Sequence, residues 1–253
     1  MLRKWEELPE FMRTPEVRPY WEILNKKRGQ LVLKRIFDIA AALILLILLA
    51  IPMAVIAVMI KRDSEGPVFY RQERVTAYGQ HFRIHKFRTM VSNADRIGTA
   101  VTVGNDSRIT RVGAKLRGHR LDELPQVFDV LQGTMSFVGT RPEAVKYVER
   151  YRPEWNATLL MPAGITSETS IRYKDEDRML SAADNVDDVY VNEVLPAKMR
   201  WNLDSVKRFS FHREILTMFR TVFAVLGKDY NGEVGVDDTP SKAIGSGRNC
   251  RST

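Results

Sequence analysis

The distribution of apolar and polar positions isolates one segment first. From Ile39 to Ile60 no charged residue interrupts an apolar run. As a helix this run would be about 33 Å long, close to the hydrocarbon thickness of a bilayer. It lies too deep in the chain and is too long for a cleaved signal peptide, and no small-residue cleavage pattern follows it. Basic residues flank both ends: Lys26, Lys27, Arg28, Lys34 and Arg35 before it, Lys61 and Arg62 after it. Lysine- and arginine-rich flanks stay on the cytoplasmic face, so both ends call for the same side. Pro52, beyond the middle, removes a backbone hydrogen bond and favours a kink. A re-entrant helix broken at Pro52 satisfies both observations. A spanning helix with an ordinary proline kink satisfies only the second.

The rest of the chain alternates short elements. Residues 1–30 mix charges with Trp5, Leu8, Phe11, Tyr20, Trp21 and Ile23, an amphipathic extension that suits a membrane interface or the surface of a domain. Asp63–Pro67 reads as a turn. Val68–Val75 and His81–Met90 read as two strands joined around Gly79, with a hairpin expected. Asn105–Gly113 has loop composition. A helical pattern starts near Ala114, breaks around Gly118 and restarts at Leu121 or Asp122. Pro125 then falls in a first turn and Gly133 at the end. Arg141-Pro142 opens another helix, striped by Tyr147, Val148 and Tyr151. Over Val206–Leu226, Phe211, Ile215, Phe219, Val222 and Leu226 recur at helical steps, which fits a core-facing helix or one lying on a bilayer. The Gly-, Asp- and Ser-rich tail from Lys228 is expected to be mobile.

Composition narrows the chemistry. Apolar residues make up 44% of the 253 and charged residues 28%, enough for a packed core. The formal net charge of +8 suits nucleic acid, anionic lipid or phosphorylated small molecules. Cys250 is the single cysteine, which rules out an internal disulfide and a thiolate metal cluster. Chemistry concentrates in Leu121-Asp122-Glu123-Leu124-Pro125-Gln126. Two adjacent carboxylates at a helix start would be held ionised by the helix dipole. An ionised aspartate can attack phosphorus, and a neighbouring carboxylate can hold Mg²⁺. Alone, this motif is also an ordinary acidic helix start. Its company adds weight: Lys86 and Arg88 in Lys86–Met90, Arg108 in the loop 105–111, Arg117 five residues before Asp122, and Arg141 in Ser136–Pro142. Arginine forks and helix starts both suit phosphate oxygens.

These motifs, in this order, resemble the bacterial sugar transferase family, the monotopic phosphoglycosyl transferases, over about Leu33 to Leu226. The resemblance is carried by Lys34-Arg35-Ile36-Phe37-Asp38, Gly66–Gln72, Lys86–Met90, Arg108–Gly113, Leu121–Gln126 and Ser136–Pro142. It implies an α/β fold: a small membrane-anchored catalytic domain with a re-entrant (kinked) membrane helix and interfacial amphipathic helices. The corresponding organisation is an extension over 1–30, a re-entrant helix over 31–62 with Pro52 at its break, a cytoplasmic catalytic domain over 63–227 and a tail over 228–253. The resemblance further implies Asp122 as nucleophile and Glu123 as the residue tied to Mg²⁺. Lys86, Arg117 and Arg141 match phosphate- and substrate-binding positions, with Arg88 and Arg108 resting on their motifs only. The implied partners are a nucleotide-sugar donor, a polyprenyl phosphate acceptor and the lipid bilayer of the bacterial cytoplasmic membrane.

Three departures bear on specificity. Arg120 stands where the family usually has Ser or Thr. Thr140 stands where it usually has Pro, and Ser167-Glu168-Thr169 follows Pro162–Thr166 in place of the usual continuation. Two other functions compete. Asp175-Glu176-Asp177 has the spacing of a metal-dependent glycosyltransferase motif, but it sits in a charged run with Arg172, Lys174 and Arg178. A non-catalytic membrane scaffold would need no carboxylate pair between cations. No aromatic-plus-basic pattern for nucleic acid is present.

Overall fold

The computed structural model describes residues 2–92, 94, 106–173 and 185–225. Asn105, Asp175-Glu176-Asp177, Cys250 and the tail from Lys228 lie outside the described residues. Helix α1 (Arg18–Lys26) leads into the long α2 (Arg28–Asp63). Strands β1 (Phe69–Val75) and β2 (His81–Phe87) follow, then α3 (Arg111–Gly118), a 3₁₀ turn (Leu121–Glu123), α4 (Gln126–Gln132) and β3 (Met135–Val138). After α5 (Val145–Val148) come a 3₁₀ stretch (Pro153–Leu160), β4 (Ala163–Thr166) and α6 (Glu168–Arg172). The described chain closes with α7 (Val186–Val189), a π-helical turn (Tyr190–Val194), α8 (Leu195–Lys207) and α9 (Phe211–Val225). Strands β1 and β2 form an antiparallel hairpin that pairs Phe69 with Phe87 and Val75 with His81. Strands β3 and β4 pair in parallel.

Helix α2 is continuous through Pro52 and 36 residues long, about 54 Å at the usual rise. It is long and apolar enough to cross a membrane. One stripe faces the rest of the chain along its whole length. Lys34, Asp38, Ala42, Ile56 and Ile60 are buried, with Leu45, Leu49 and Met53 half-buried between them. Those steps of three and four residues trace one helix face. Ala42 packs with Phe82, Val127, Val130 and Phe137. Ile56 and Ile60 pack with Phe87 and Leu116. Both ends of the helix therefore rest on the same domain. The opposite face is apolar and exposed: Ile47 and Ile51 are each 78% accessible, and Leu43, Ile44, Leu48, Val55 and Val58 accompany them.

Buried polar groups fix the first end of α2. Lys34 Nζ donates to the Val138 carbonyl at 2.9 Å and to Glu214 of α9. Asp38 accepts from Ser136 Oγ at 2.7 Å. Arg35 donates to the carbonyls of Val130 and Leu131 at 2.6 and 2.9 Å, closing the end of α4. There Gly133 takes φ +85°, a left-handed cap that a side chain would strain. The far end of α2 caps another helix, because Asp63 Oδ2 accepts from Val112 N at 2.8 Å.

Residues ahead of α2 pack on the domain. Leu2, Leu8, Met12, Val17, Tyr20 and Leu24 join Trp155, Leu160, Leu195, Met199 and Phe209 in the largest core. The extension also reaches the β1–β2 turn, where Tyr78 Oη accepts from Arg3 N at 3.1 Å and the Arg3 guanidinium lies over the Tyr78 ring.

Several boundaries differ from the sequence reading. Helix α3 begins at Arg111 instead of near Ala114, because Thr110 Oγ1 accepts from Gly113 N and supplies the cap. Strand β2 ends at Phe87, and only Met90 pairs beyond it, with Ile109. The helix after Arg141-Pro142 starts at Val145 and is four residues long. The stretch Val206–Leu226 is split, since α8 ends at Lys207 and α9 starts at Phe211. On α9 the outward stripe Leu216, Phe219, Val222 and Phe223 is exposed, so these residues do not face the core.

The buried ions predict a specific stability effect. Replacing Lys34 with Met would leave Glu214 without its cation in a dry setting, and such losses cost about 3 kcal/mol or more. Denaturation of purified Lys34→Met should show that loss, whereas Arg18→Met, which removes an exposed pair with Glu22, should stay within about 0.5 kcal/mol of wild type.

Candidate active site

The carboxylate pair sits on the 3₁₀ turn Leu121–Glu123, one turn ahead of α4, with Pro125 as the helix N-cap. Arg120 enters that turn in the left-handed region, φ 53°. The pair is thus presented from a sharp turn, and the dipole of α4 acts on it from a turn away. Three elements hold the turn. Helix α3 packs before it and α4 after it. Strand β2 lies alongside and is locked to α4 by Asp129, whose two oxygens accept from His85 N at 2.9 Å and pair with His85 Nδ1 at 2.7 Å.

Glu123 is the best-connected group. Its Oε1 accepts from Lys86 Nζ at 2.9 Å and from Arg141 Nη2 at 2.6 Å. Burial by itself raises the Glu123 pKa, but Arg141 and Lys86 together outweigh it and hold the carboxyl far below the usual carboxylate range. Lys86 arrives from the end of β2 and Arg141 from the loop after β3. That loop lies flat on β4, because Gly139 N donates to Thr166 O at 3.0 Å and Gly164 N to Thr140 O at 2.9 Å. A Cβ on Gly164 would fall 2.1 Å from Gly139 N, so only glycine permits this approach.

Asp122 is different. Among the described residues no side chain donates a hydrogen bond to its carboxylate. Burial is the main cause raising its pKa, the adjacent Glu123 charge adds to that, and Lys86 and Arg117 partly oppose it. Its carboxylate is therefore desolvated and electrostatically held between two cations without being tied to either. Its own backbone N–H also hydrogen-bonds the carboxylate and works against the upward shift, and a carboxylate with little hydration is a stronger nucleophile than a fully hydrated one.

The other sequence-derived cations fall in different places. Arg117, in the last turn of α3, acts on both Asp122 and Asp106. Arg108 is engaged with Asp106, at 2.6 Å, and with the Ala94 carbonyl, at 2.9 Å. Its hydrogen bonds hold the Asp106 carboxyl down at about 2. Arg88 does not reach the carboxylates. It is buried and donates to the Ser64 and Glu65 carbonyls at 2.6 and 2.7 Å, bracing the end of α2. The geometry gives Arg88 a structural place at the end of α2. Pro52 lies on the exposed face of α2.

Sequence reading missed the support behind Arg141. Glu143, buried two residues on, accepts from Tyr190 Oη at 2.8 Å and Lys198 Nζ at 3.1 Å. Burial pushes its pKa up, and Lys198, Tyr190 and Arg74 together bring it below the ordinary value. Only the Arg-Pro-Glu spacing hints at this, since Tyr190 and Lys198 lie far along the chain.

No group of three or more His, Cys, Asp or Glu side chains able to hold a metal occurs among the described residues. An all-protein metal cage is thus not offered there. The oxygen donors of Asp122 and the second oxygen of Glu123 do fit Mg²⁺, which ordinarily binds through one or two carboxylates together with substrate phosphates.

A long apolar helix docked on a small mixed domain, and a carboxylate pair set among fixed cations, define a membrane-associated class with an anion-handling centre. Residues 29–228 match the family model described as bacterial sugar transferase, and the chain belongs to that family. It is 34% identical over 197 residues to a UDP-N-acetylgalactosamine-undecaprenyl-phosphate N-acetylgalactosaminephosphotransferase of Aeromonas hydrophila, covering 77% of this chain and 44% of the relative. It is 36% identical over 197 residues to the UDP-glucose:undecaprenyl-phosphate glucose-1-phosphate transferase of Escherichia coli (strain K12), covering 76% and 40%. A protein of the same description in Caulobacter vibrioides is 33% identical over 199 residues, covering 78% and 70%. The chain thus spans under half the length of the Aeromonas and Escherichia relatives.

The opposite pKa directions of the pair give opposite stability effects. A raised carboxyl pKa means the folded state favours the proton, so ionised Asp122 lowers stability once the pH exceeds its folded pKa. Asp122→Asn should therefore raise Tm at neutral pH by a few degrees, with the gain vanishing in acid. Glu123 has a lowered pKa, so its stabilisation is present above its unfolded value and lost as pH falls through the folded one. Glu123→Gln should lower Tm at neutral pH while leaving the protein folded. A scan of Tm against pH for both variants checks the two signs.

Proposed function

We propose that the chain transfers a sugar 1-phosphate from a nucleotide-sugar, a UDP-sugar by the example of its relatives, to polyprenyl phosphate. The observation that carries this reading is the contrast within the pair: Glu123 is pinned by Lys86 and Arg141, while Asp122 beside it is desolvated and bonded to no side chain among the described residues. In the first step an Asp122 oxygen bonds to the phosphorus bearing the sugar, and the bond from that phosphorus to the nucleoside monophosphate oxygen breaks. UMP leaves, and the sugar phosphate remains on Asp122. In the second step an oxygen of the lipid phosphate attacks the same phosphorus and Asp122 departs as a carboxylate. Lys86, Arg117 and Arg141 supply positive charge around the transferring group without reorganising. Mg²⁺, when bound by Asp122 and Glu123 with the diphosphate, would offset charge on the leaving phosphate. Two steps let a soluble donor and a membrane-bound acceptor use one small centre in turn.

The reading of membrane placement rests on α2. Both of its ends dock on the same domain while its outer face is apolar and exposed. That supports a re-entrant segment with the catalytic domain on the cytoplasmic side, and the exposed stripe of α9 supports an interfacial helix beside it.

The test of the reaction omits the lipid. Purified enzyme given a panel of UDP-sugars should release about one equivalent of UMP with the correct sugar, and intact-mass analysis should show the phosphosugar adduct. Asp122→Asn should give neither, and chelation of Mg²⁺ should suppress the burst. Normal turnover with lipid but no burst and no adduct would exclude the covalent path, and release of UDP would favour a metal-dependent glycosyltransferase instead. Topology is read separately. A cysteine at Thr14, with Cys250 removed, and Cys250 itself should both resist an impermeant thiol reagent in intact cells, and labelling at one end only would establish a spanning helix.

A further inference from the structure

A cavity of about 310 Å³ lies between α6, α8, the first turns of α9 and the loop Val138–Thr140. We propose that it receives the phosphate head of the polyprenyl phosphate acceptor, an inference that rests on the transfer reaction proposed above. Three observations point to a phosphate carried on a hydrocarbon tail.

The first is charge. Arg172, Arg208, Arg213 and Arg220 all line the cavity. Its carboxylates are already engaged: Glu168 with Arg220 at 3.2 Å, Asp204 with Arg208 at 2.9 Å, and Glu214 with Lys34. Arg172 lies over the Trp201 ring, 3.9 Å from its centroid. Arg213 is exposed and forms no ion pair with any described carboxylate. The balance is positive, and an anion entering would meet Arg213 without first displacing a partner.

The second is the neighbouring surface. Arg213, Thr217 and Arg220 recur at steps of four and three, so they share one face of α9. The adjoining stripe of the same helix is Leu216, Phe219 and Phe223, all exposed. Helix α9 thus sets a basic row directly beside an apolar one, so a headgroup can lie against the arginines while its tail lies along the phenylalanines. A soluble nucleotide would have no use for the second row.

The third is the route to the chemistry. Thr140 lines the cavity, and the next residue, Arg141, holds Glu123. Arg220 is steered by Glu168, and Thr221 Oγ1 by Thr166 Oγ1 at 2.7 Å, which ties α9 to β4 and α6.

The test compares the two half-reactions in detergent micelles containing undecaprenyl phosphate. Arg213→Gln should raise KM for the lipid acceptor about tenfold, the loss of one charged hydrogen bond, while the UMP burst with UDP-sugar alone keeps its wild-type amplitude. Arg213→Lys should recover most of the acceptor KM. Glu168→Gln, which removes one carboxylate charge from the cavity wall, should lower it. An unchanged acceptor KM in Arg213→Gln overturns the proposal, as does an equal loss in the donor-only burst. So does weakened binding to phosphatidylglycerol vesicles with acceptor KM intact, which would make the cavity a site for bulk phospholipid. If wild type gives no burst, the covalent path has failed, and the steady-state acceptor KM still decides the cavity.

Discussion

A single oxygen, Oε1 of Glu123, is shared by Lys86 and Arg141, and the arrangement of the candidate site follows from it. Lys86 belongs to the β1–β2 hairpin, Glu123 to the turn before α4, and Arg141 to the loop that β4 holds flat. The three ends would otherwise be free to drift as loops do. Bringing two cations onto one buried carboxylate fixes all three at once, and truncating any partner leaves uncompensated charge out of water. The same triad sets the electrostatics of Asp122. Glu123 contributes a negative neighbour and Lys86 a positive one, so the aspartate is held half-buried between opposing charges, with no side chain among the described residues donating to it.

A second set of buried ions performs the equivalent task for the membrane segment. Lys34, Asp38 and Glu214 connect α2 to β3 and α9, so the apolar helix is fastened by polar groups at its start and by Asp63 at its end. Lys34 and Asp38 are four residues apart on the docked face, and the exposed face carries only apolar side chains between Ile39 and Ile60. Charge and hydrocarbon are thus segregated around one helix axis, which is the condition for a helix that must satisfy a protein on one side and lipid on the other.

Much of this was legible beforehand, and the exceptions share a cause. The apolar run, the hairpin, the turn around Gly133 and the carboxylate motif are local signals, readable from spacing and from residues with special backbone freedom. The carbonyl contacts of Arg88 at the end of α2 could not be read beforehand, because a basic residue in a strand-end motif looks the same whatever it meets. The Glu143–Lys198–Tyr190 support, the docking of residues 2–24 on α8, and the break between α8 and α9 depend on partners distant in sequence. Periodicity carries no information about such partners. Helix α3 started early for a local reason that was available, the Thr110 cap, but the loop-like composition around it masked the signal.

The packing of residues 2–24 has a consequence for how the molecule is assembled. Leu2, Met12, Val17 and Leu24 close their core against Leu195, Met199 and Phe209, and the apolar helix lies between those two partners in the chain. During synthesis α2 leaves the ribosome long before α8 does. Its apolar surface is then complete while the preceding segment still lacks the wall it packs on. Contacts of such long range form slowly. Closure of this core therefore waits for α8 and Phe209, and residues 2–24 have no wall to pack on until those are made.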